Sequence, residues 1–164
     1  MSNSKSFINY KKNKIDITVK INVNPDWIEY FLEHYHNNNY KEYENVEIIY
    51  EKRNELFKVE DEILNKSLVI KKFKLERLYD DLRFRVIPSK AERSLEMARA
   101  LVNAELKTPL PIAVIEKRGN YNKLLFSYYI SEYVDYDYNM LDIAKNYNHP
   151  EREKILKLMP QLGK

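Results

Sequence analysis

Cysteine is absent from the 164-residue chain, and glycine occurs only twice. A protein without cysteine has neither disulfide bonds nor thiolate metal sites. The sequence also lacks an apolar run of the roughly 18 residues that a membrane-spanning helix needs. Its first residues, MSNSKSFINYKKNK, have no apolar core of the kind that signal peptides carry. A cytoplasmic location is the default expectation.

Neither positive nor negative charges are concentrated in one part of the chain. Lys and Arg total 28 against 25 Asp and Glu, which gives a net charge of +3. In the Tyr-rich and Lys-rich stretch 39–53, acidic residues interrupt the basic ones. A solvated surface explains this pattern better than a nucleic-acid interface, which needs a basic patch. The length fits one domain with its own core.

The first half of the chain predicts strands around one helix. Residues 15–23 alternate apolar and polar side chains as a half-buried strand does, and Asn24 is placed to cap a following helix. Three further short strands are predicted near 46–52, 55–60 and 67–73, joined by tight polar turns. They would form an antiparallel meander.

The second half predicts a long helix followed by a hairpin. Ser89 is a typical N-cap, and the apolar residues after it recur at helical spacing. Two apolar runs flank the turn sequence GNYN and indicate two strands joined as a hairpin. A last helix is expected from about Glu151, and Pro160 should end it because proline cannot donate the helical hydrogen bond.

Three strands, a helix and two strands form an order that resembles the small lobe of protein-kinase-like folds. The expected fold is therefore α+β, with an antiparallel five-stranded sheet packed on one long helix. On the third strand, Val69 and Lys71 share a face, so the apolar side chain can cover an adenine while the ammonium reaches phosphate oxygens. Lys72 faces the other way and is interpreted as a solvent lysine. Glu92 and Glu96, one helical turn apart, are the candidate carboxylates to orient Lys71, and Glu96 is preferred over Glu92.

Three segments carry a narrower resemblance. SKAERSLEMARAL, LKTPLPIAVIEKR and LLFSYYISEYV look like the bacterial lipopolysaccharide kinase family, which includes heptose and Kdo kinases of the inner core. The resemblance covers about 46–164. It implies ATP as the phosphate donor, a core sugar hydroxyl as the acceptor, and Mg²⁺ bound by residues of the large lobe.

The resemblance also implies roles for individual residues. Lys71 would hold the nucleotide phosphates and Glu96 would pair with it. The run SEYV would form the hinge, with the Glu132 carbonyl and the Val134 amide facing the adenine edge and Ser131 at the back of the pocket. The alternative for Glu96 is an ordinary surface charge on a helix of a highly charged chain.

The implied organisation has three parts. Residues 1–45 form an N-terminal strand and helix extension, 46–134 the small lobe, and 135–164 the hinge and first helices of a large lobe. Within the last part, Asp137 or Asn139 could reach the ribose. The partners implied are a nucleotide and the sugar acceptor; peripheral contact with the membrane and self-association through an uncovered cleft face stay open.

Two features depart from the family pattern. The predicted first turn of the meander, YEKRNELF, has no glycine to admit phosphate to the backbone. No HxD catalytic loop and no DxG metal motif occur, and His149 is better placed as a helix cap. The chain is therefore expected to be the N-terminal half of a kinase and to be inactive alone. The rival hypothesis is a non-catalytic, kinase-like interaction domain.

A metal site at the first two histidines is not expected. His34 and His36 are two residues apart on a predicted helix, so their side chains point to different faces and cannot share an ion.

Overall fold

In the computed structural model, the described residues are 7–12, 14–20, 23, 24, 26–37, 39–75, 82–136, 143, 145–154, 156 and 157. The chain divides into two compact units, Met1–Tyr133 and Val134–Lys164. Over these described ranges, no helix is both long enough and apolar enough to cross a lipid bilayer.

In the first unit, the part of the chain that the structure describes forms one antiparallel sheet of seven strands. These are β1 (Phe7–Lys12), β2 (Ile15–Lys20), β3 (Val46–Glu51), β4 (Asn54–Asp61), β5 (Lys66–Phe73), β6 (Pro111–Arg118) and β7 (Leu124–Glu132). Their order across the sheet is β1-β2-β6-β7-β5-β4-β3. The meander β3 to β5 and the hairpins β1–β2 and β6–β7 are thus joined edge to edge. The two non-sequential neighbours are β2 with β6 and β5 with β7.

One face of the sheet packs against α1 (Asp26–Phe31), which continues as a π-helical turn, Leu32–His36. Asn24 Oδ1 accepts a hydrogen bond from the Asp26 amide at 3.0 Å, the contact expected of a cap residue. The core on this face combines helix and strand side chains. Its buried members include Trp27, Ile28, Phe31, Tyr35, Ile17, Val19, Phe57, Val59, Leu68, Ile70, Ile115, Tyr128 and Ile130.

The opposite face packs against α2 (Lys90–Asn103). Ser89 caps it through a capping box in which Ser89 Oγ accepts from the Glu92 amide and Glu92 accepts from the Ser89 amide. Ala91 and Leu95 of α2 are buried against Phe73 and Val114 of the sheet. Alternate residues of a strand point to opposite faces of the sheet. The even-numbered residues of β5 therefore face α1, and the odd-numbered residues face α2.

The structure confirms most predicted elements. The three meander strands, the helix after Ser89, and the hairpin around GNYN lie where the pattern placed them. The predicted number of strands is wrong, since the described residues alone form a sheet of seven strands rather than five plus one. β1 was missed because FINYKK lies at the sheet edge and exposes most of its side chains, so it has no apolar alternation.

The N-terminal strand and helix are part of the same sheet and core. β2 pairs with β6 from Ile15↔Lys117 to Val19↔Ala113, and Trp27 donates its indole hydrogen bond to Asp61 of β4 at 2.8 Å. The predicted extension 1–45 therefore contributes strands and buried side chains to the unit that contains the meander.

In the second unit, residues 152–154, 156 and 157 are helical, as predicted for a helix from about Glu151. The Glu151 amide donates to His149 Nδ1 at 3.2 Å. This contact is the capping role that the sequence suggested for His149. Pro160 lies outside the described residues.

Candidate functional site

Lys71 lies on the face of the sheet that packs against α2. In the β5–β7 ladder it is paired with Tyr129, and Val69 is paired with Ser131, so these four side chains share one face. Lys71 Nζ lies 5.1 Å from the ring centroid of Phe73, which packs in the α2 core. The prediction that Lys71 faces the long helix is confirmed by this register.

The ammonium of Lys71 is partly removed from water. Burial lowers the pKa of Lys71, and the positive charge of Lys90 at the start of α2 lowers it further. Among the described residues, no carboxylate forms an ion pair with Lys71. A half-buried cation beside a second cation is a site that an anion would stabilise.

The two candidate carboxylates of α2 are engaged elsewhere. Glu96 is 71% exposed in its side chain and pairs with Arg99 on the same helix at 3.0 Å. Glu92 closes the capping box and lies 3.5 Å from Arg118. The structure therefore places Lys71 on the helix side of the sheet but does not bring Glu96 to it. In the present position of α2, Leu95 faces the sheet and Glu96 faces solvent.

Lys72 points to the opposite face, as predicted, but it is not a simple solvent lysine. Its Nζ lies 3.5 Å from Glu55 and 5.7 Å from the ring centroid of Tyr40. Lys71 and Lys72 are thus neighbours in sequence with separate surroundings. This makes Lys72 a matched comparison for any test of Lys71.

A cleft of about 530 Å³ opens between α2 and β7 on the Lys71 side of the sheet. Burial raises the pKa of Tyr129 to about 12, so its phenol is a neutral hydrogen-bonding group at pH 7. Apolar residues of α2 form one wall of the cleft. Lys90 and Arg93 of the same helix also line the cleft. The lining residues are Lys90, Arg93, Ser94, Met97, Ala98, Leu101, Thr108, Pro109, Tyr129 and Ser131.

The predicted hinge leaves the sheet beside the start of β5. The Tyr133 amide donates to the Ser67 carbonyl at 2.8 Å, and the Glu132 amide donates to the Leu110 carbonyl at 2.9 Å. The Glu132 side chain forms an ion pair with Lys66. Val134 begins the second unit and exposes its side chain. Asp137 and Asn139, the candidate ribose contacts, lie outside the described residues.

The turn between β3 and β4 is short and has no glycine. It consists of Lys52 and Arg53, and the Lys52 amide donates to the Asn54 carbonyl at 3.2 Å. Close approach of a phosphate to the backbone is easiest where glycine omits the side chain. Contacts from this turn to a phosphate would therefore come from its two basic side chains.

No family model, curated protein or solved structure matches this chain. Within the described ranges, no three His, Cys, Asp or Glu side chains cluster in a way that could bind a metal ion. His36 instead bonds through Nδ1 to the Tyr128 hydroxyl at 2.9 Å, and His34 Nδ1 lies 3.0 Å from the Tyr30 carbonyl.

Sequence reasoning missed one buried acidic residue next to the helix cap. Glu116 of β6 is buried, accepts a hydrogen bond from Ser127 Oγ at 2.6 Å, and lies 3.2 Å from Arg118 Nη2. Arg118 in turn reaches Glu92, so a carboxylate in the sheet is linked to the first turn of α2. The only signal was its place directly after the apolar run PIAVI.

The buried position of Glu116 predicts a pH effect on stability. Burial is the main reason that the pKa of Glu116 is raised in the folded chain. The contribution of Glu116 to the free energy of unfolding is then fully present below the pKa that Glu116 has in the unfolded chain. It is lost as pH rises through the higher pKa of Glu116 in the folded chain. Relative to Glu116→Gln, the unaltered chain should lose stability as pH rises above about 4.3, the pKa of an unfolded glutamate, toward the raised pKa of the folded chain.

Urea unfolding of both proteins at several pH values measures this difference. Glu60→Gln is the control with opposite sign, because hydrogen bonds from Ser67 and Lys58 lower the pKa of Glu60. The stability that Glu60 contributes is present above its unfolded pKa and is lost as pH falls. A pH-independent difference between the unaltered chain and Glu116→Gln would contradict the prediction.

Proposed function

We propose that this chain is the nucleotide-binding small lobe of a kinase-like phosphotransferase that acts on a sugar hydroxyl of the lipopolysaccharide core. One observation carries most of the proposal. Lys71 is half-buried on the α2 face of the interior strand β5, and none of the described carboxylates forms an ion pair with it. An ammonium in that setting is suited to phosphate oxygens, which lysine binds as a compact point charge.

The order of the strands supports the same assignment. β7 pairs with β5, so the segment predicted as the hinge leaves the sheet next to the strand that carries Lys71. Val69 lies on the face of Lys71, two residues nearer to that exit. A nucleotide could therefore place its base against Val69 and the backbone of Glu132, and its phosphates toward Lys71.

The position of α2 limits what this arrangement can do. Glu96 would have to turn toward the sheet to orient Lys71, and this needs a rotation or shift of α2. We assign the observed arrangement to a state in which the lysine is not yet oriented. Mg²⁺ has no cluster of candidate ligands among the described residues, and we assign no step to it. The bound nucleotide would supply the phosphoryl group to be transferred.

A non-catalytic interaction domain is the second candidate function. Two observations favour it: the turn of Lys52 and Arg53 has no glycine, and Lys71 and Glu96 are not paired. Neither accounts for a half-buried lysine beside a second cation. An interaction domain would leave that charge buried at a cost without a ligand to offset it.

Titration of the 164-residue chain with ATP, followed by NMR chemical shifts, tests the proposal. We expect weak binding, with a Kd near about 1 mM, because the chain contains neither an HxD nor a DxG motif. Lys71→Met should weaken binding about tenfold or more, because it removes a charge-assisted hydrogen bond while the unbranched side chain still packs.

Lys72→Met is the matched control, since Lys72 lies one residue away on the other face of β5. It should leave the affinity for ATP within about twofold of the unaltered chain. Equal affinities of the Lys71 and Lys72 variants for ATP would show that Lys71 does not bind the nucleotide. Absence of any ATP-induced shift in the unaltered chain would favour the interaction domain.

A further inference from the structure

The cleft between α2 and β7 is lined by one continuous face of the helix. The helix residues that line it recur three and four positions apart, which places them on the same side of α2. From Arg93 to Leu101 this face extends about 12 Å along the helix axis. The cleft is therefore elongated along α2. The helix residues concerned are Lys90, Arg93, Ser94, Met97, Ala98 and Leu101.

The chemical character of the lining changes along the helix. Arg93 lies near the start of α2, whereas Met97, Ala98 and Leu101 lie in its later turns and are apolar. Tyr129 of β7 lines the cleft from the sheet. A ligand that follows the helix would thus meet a cation at one end and apolar side chains at the other.

The guanidinium of Arg93 has donors to offer to a ligand. Its Nε donates to the Ser89 carbonyl at 3.3 Å, and in the described part of the chain Nη1 and Nη2 have no hydrogen-bond or ion-pair partner. Glu92 and Glu96, the carboxylates of the same helix, form ion pairs with other arginines. Two parallel N–H donors of a guanidinium match the two oxygens of a carboxylate.

The charge of the cleft favours a ligand with a single negative charge. Among the residues that the structure describes, no acidic side chain lines the cleft. Lys90 also lines it but has other interactions within the chain, one of them with the ring of Phe84 at 5.5 Å from its centroid. We therefore assign the charge of the ligand to Arg93 alone. A carboxylate carries one charge, whereas a phosphate monoester carries about two.

The size of the cleft fits a small molecule. Its volume of about 530 Å³ lies within the range of about 300–1,000 Å³ that small-molecule sites have. Such sites are mostly apolar, with a few polar groups that fix the orientation of the ligand. Met97 is 63% exposed, so an alkyl chain beside it would remove apolar surface of both partners from water.

We propose that the cleft between α2 and β7 binds a small amphipathic carboxylate. The carboxylate accepts hydrogen bonds from the Nη groups of Arg93, and the alkyl chain lies along Met97, Ala98 and Leu101. Binding of this ligand goes beyond the proposed nucleotide site, because the residues proposed to contact the nucleotide do not line the cleft. Either proposal can therefore fail while the other holds.

The methyl group of Met97 is a direct reporter of binding. The chain has only four methionines, so ¹³C-methyl labelling of methionine gives few signals in an NMR spectrum. Octanoate is the probe, since it joins one carboxylate to an unbranched alkyl chain. Titration with octanoate should shift the Met97 signal until it reaches a constant value.

Two arginine variants measure the role of the charge. Arg93→Gln should weaken octanoate binding about tenfold or more, because it removes a charge-assisted hydrogen bond. Arg99→Gln is the matched control, since Arg99 lies on the same helix but pairs with Glu96 and does not line the cleft. It should leave the affinity for octanoate within about twofold of the unaltered chain.

A neutral probe separates loss of the charge from damage to the cleft. 1-Octanol has the same alkyl chain without a carboxylate, so Arg93→Gln should leave its affinity within about twofold. Binding of octanol to this variant would also show that the apolar part of the cleft is intact.

Two leucine variants test the apolar end. Leu101→Ser should weaken binding of octanoate and of octanol about threefold or more, because less apolar surface leaves water. Leu106→Ser is the control, since Leu106 is 56% exposed and does not line the cleft. It should leave both affinities within about twofold.

Four results would overturn the proposal. The first is a Met97 signal that does not shift, or that shifts without saturation. The second is an equal loss of octanoate and octanol affinity in Arg93→Gln. The third is a loss in Arg99→Gln as large as that in Arg93→Gln. The fourth is an equally large loss in Lys71→Met, which would assign the cleft to the nucleotide site.

Discussion

Replacement of Trp27 by alanine is expected to lower the free energy of unfolding by about 3–5 kcal/mol. Trp27 is fully buried in the core on the α1 face and contacts Phe31, with ring centroids 5.6 Å apart. The change leaves a cavity that its neighbours cannot fill completely. It also removes the indole donor that bonds the buried Asp61 at 2.8 Å, and an unsatisfied buried acceptor adds its own cost.

Trp27→Phe separates the two effects. It keeps most of the apolar volume and deletes only the hydrogen bond, so we expect a loss of about 1–3 kcal/mol. Asp61 would still accept the Leu64 amide at 2.8 Å, which limits the loss. Urea unfolding monitored by circular dichroism measures both variants. An alanine variant within about 1 kcal/mol of the unaltered chain would show that the N-terminal helix is separable from the sheet.

Replacement of Leu95 by alanine is expected to cost about 2–5 kcal/mol. Leu95 is the buried contact in the middle of α2 and packs with Phe73 and Val114 in a cluster that is smaller than the one on the other face. Few other side chains hold α2 on the sheet. Loss of Leu95 should therefore destabilise the helix–sheet contact beside Lys71 as well as the fold.

Met97→Ala is the matched control on the same helix. Met97 is 63% exposed, and methionine and alanine are both good helix formers, so the expected change is within about 0.5 kcal/mol. Urea unfolding of the two variants gives the comparison. Equal losses for Leu95→Ala and Met97→Ala would mean that α2 does not pack through the face assigned here.

Individual helices, strands and turns could be predicted because the residues that specify them are close together in the sequence. The capping box at Ser89 and Glu92, the apolar stripe after it, and the turn GNYN between two apolar runs all depend on residues a few positions apart. The same holds for the face of Lys71, since alternation along β5 requires only a correct strand assignment. A candidate lysine with the right orientation could therefore be named from sequence.

The order of the strands in the sheet could not be predicted from neighbouring residues. Both N-terminal strands add to the sheet through the pairing of β2 with β6, which lie about a hundred residues apart in the chain. Nothing in IDITVK specifies β6 as its partner, because any half-buried strand offers the same hydrogen-bonding edge. The description of residues 1–45 as an extension of the small lobe followed from this lack of a pairing signal.

The amino-acid sequence by itself determined most of the strands and helices, although not β1, and it determined where α2 begins and that Lys71 and Lys72 face opposite sides of β5. Only the tertiary structure decided that α1 and α2 cover opposite faces of one seven-stranded sheet, that Lys71 is half-buried beside Lys90, and that Glu96 faces solvent. The reason is physical. Periodicity records which side of an element is apolar, whereas the rotation of a helix on a sheet and the surroundings of a charge depend on residues distant in the chain.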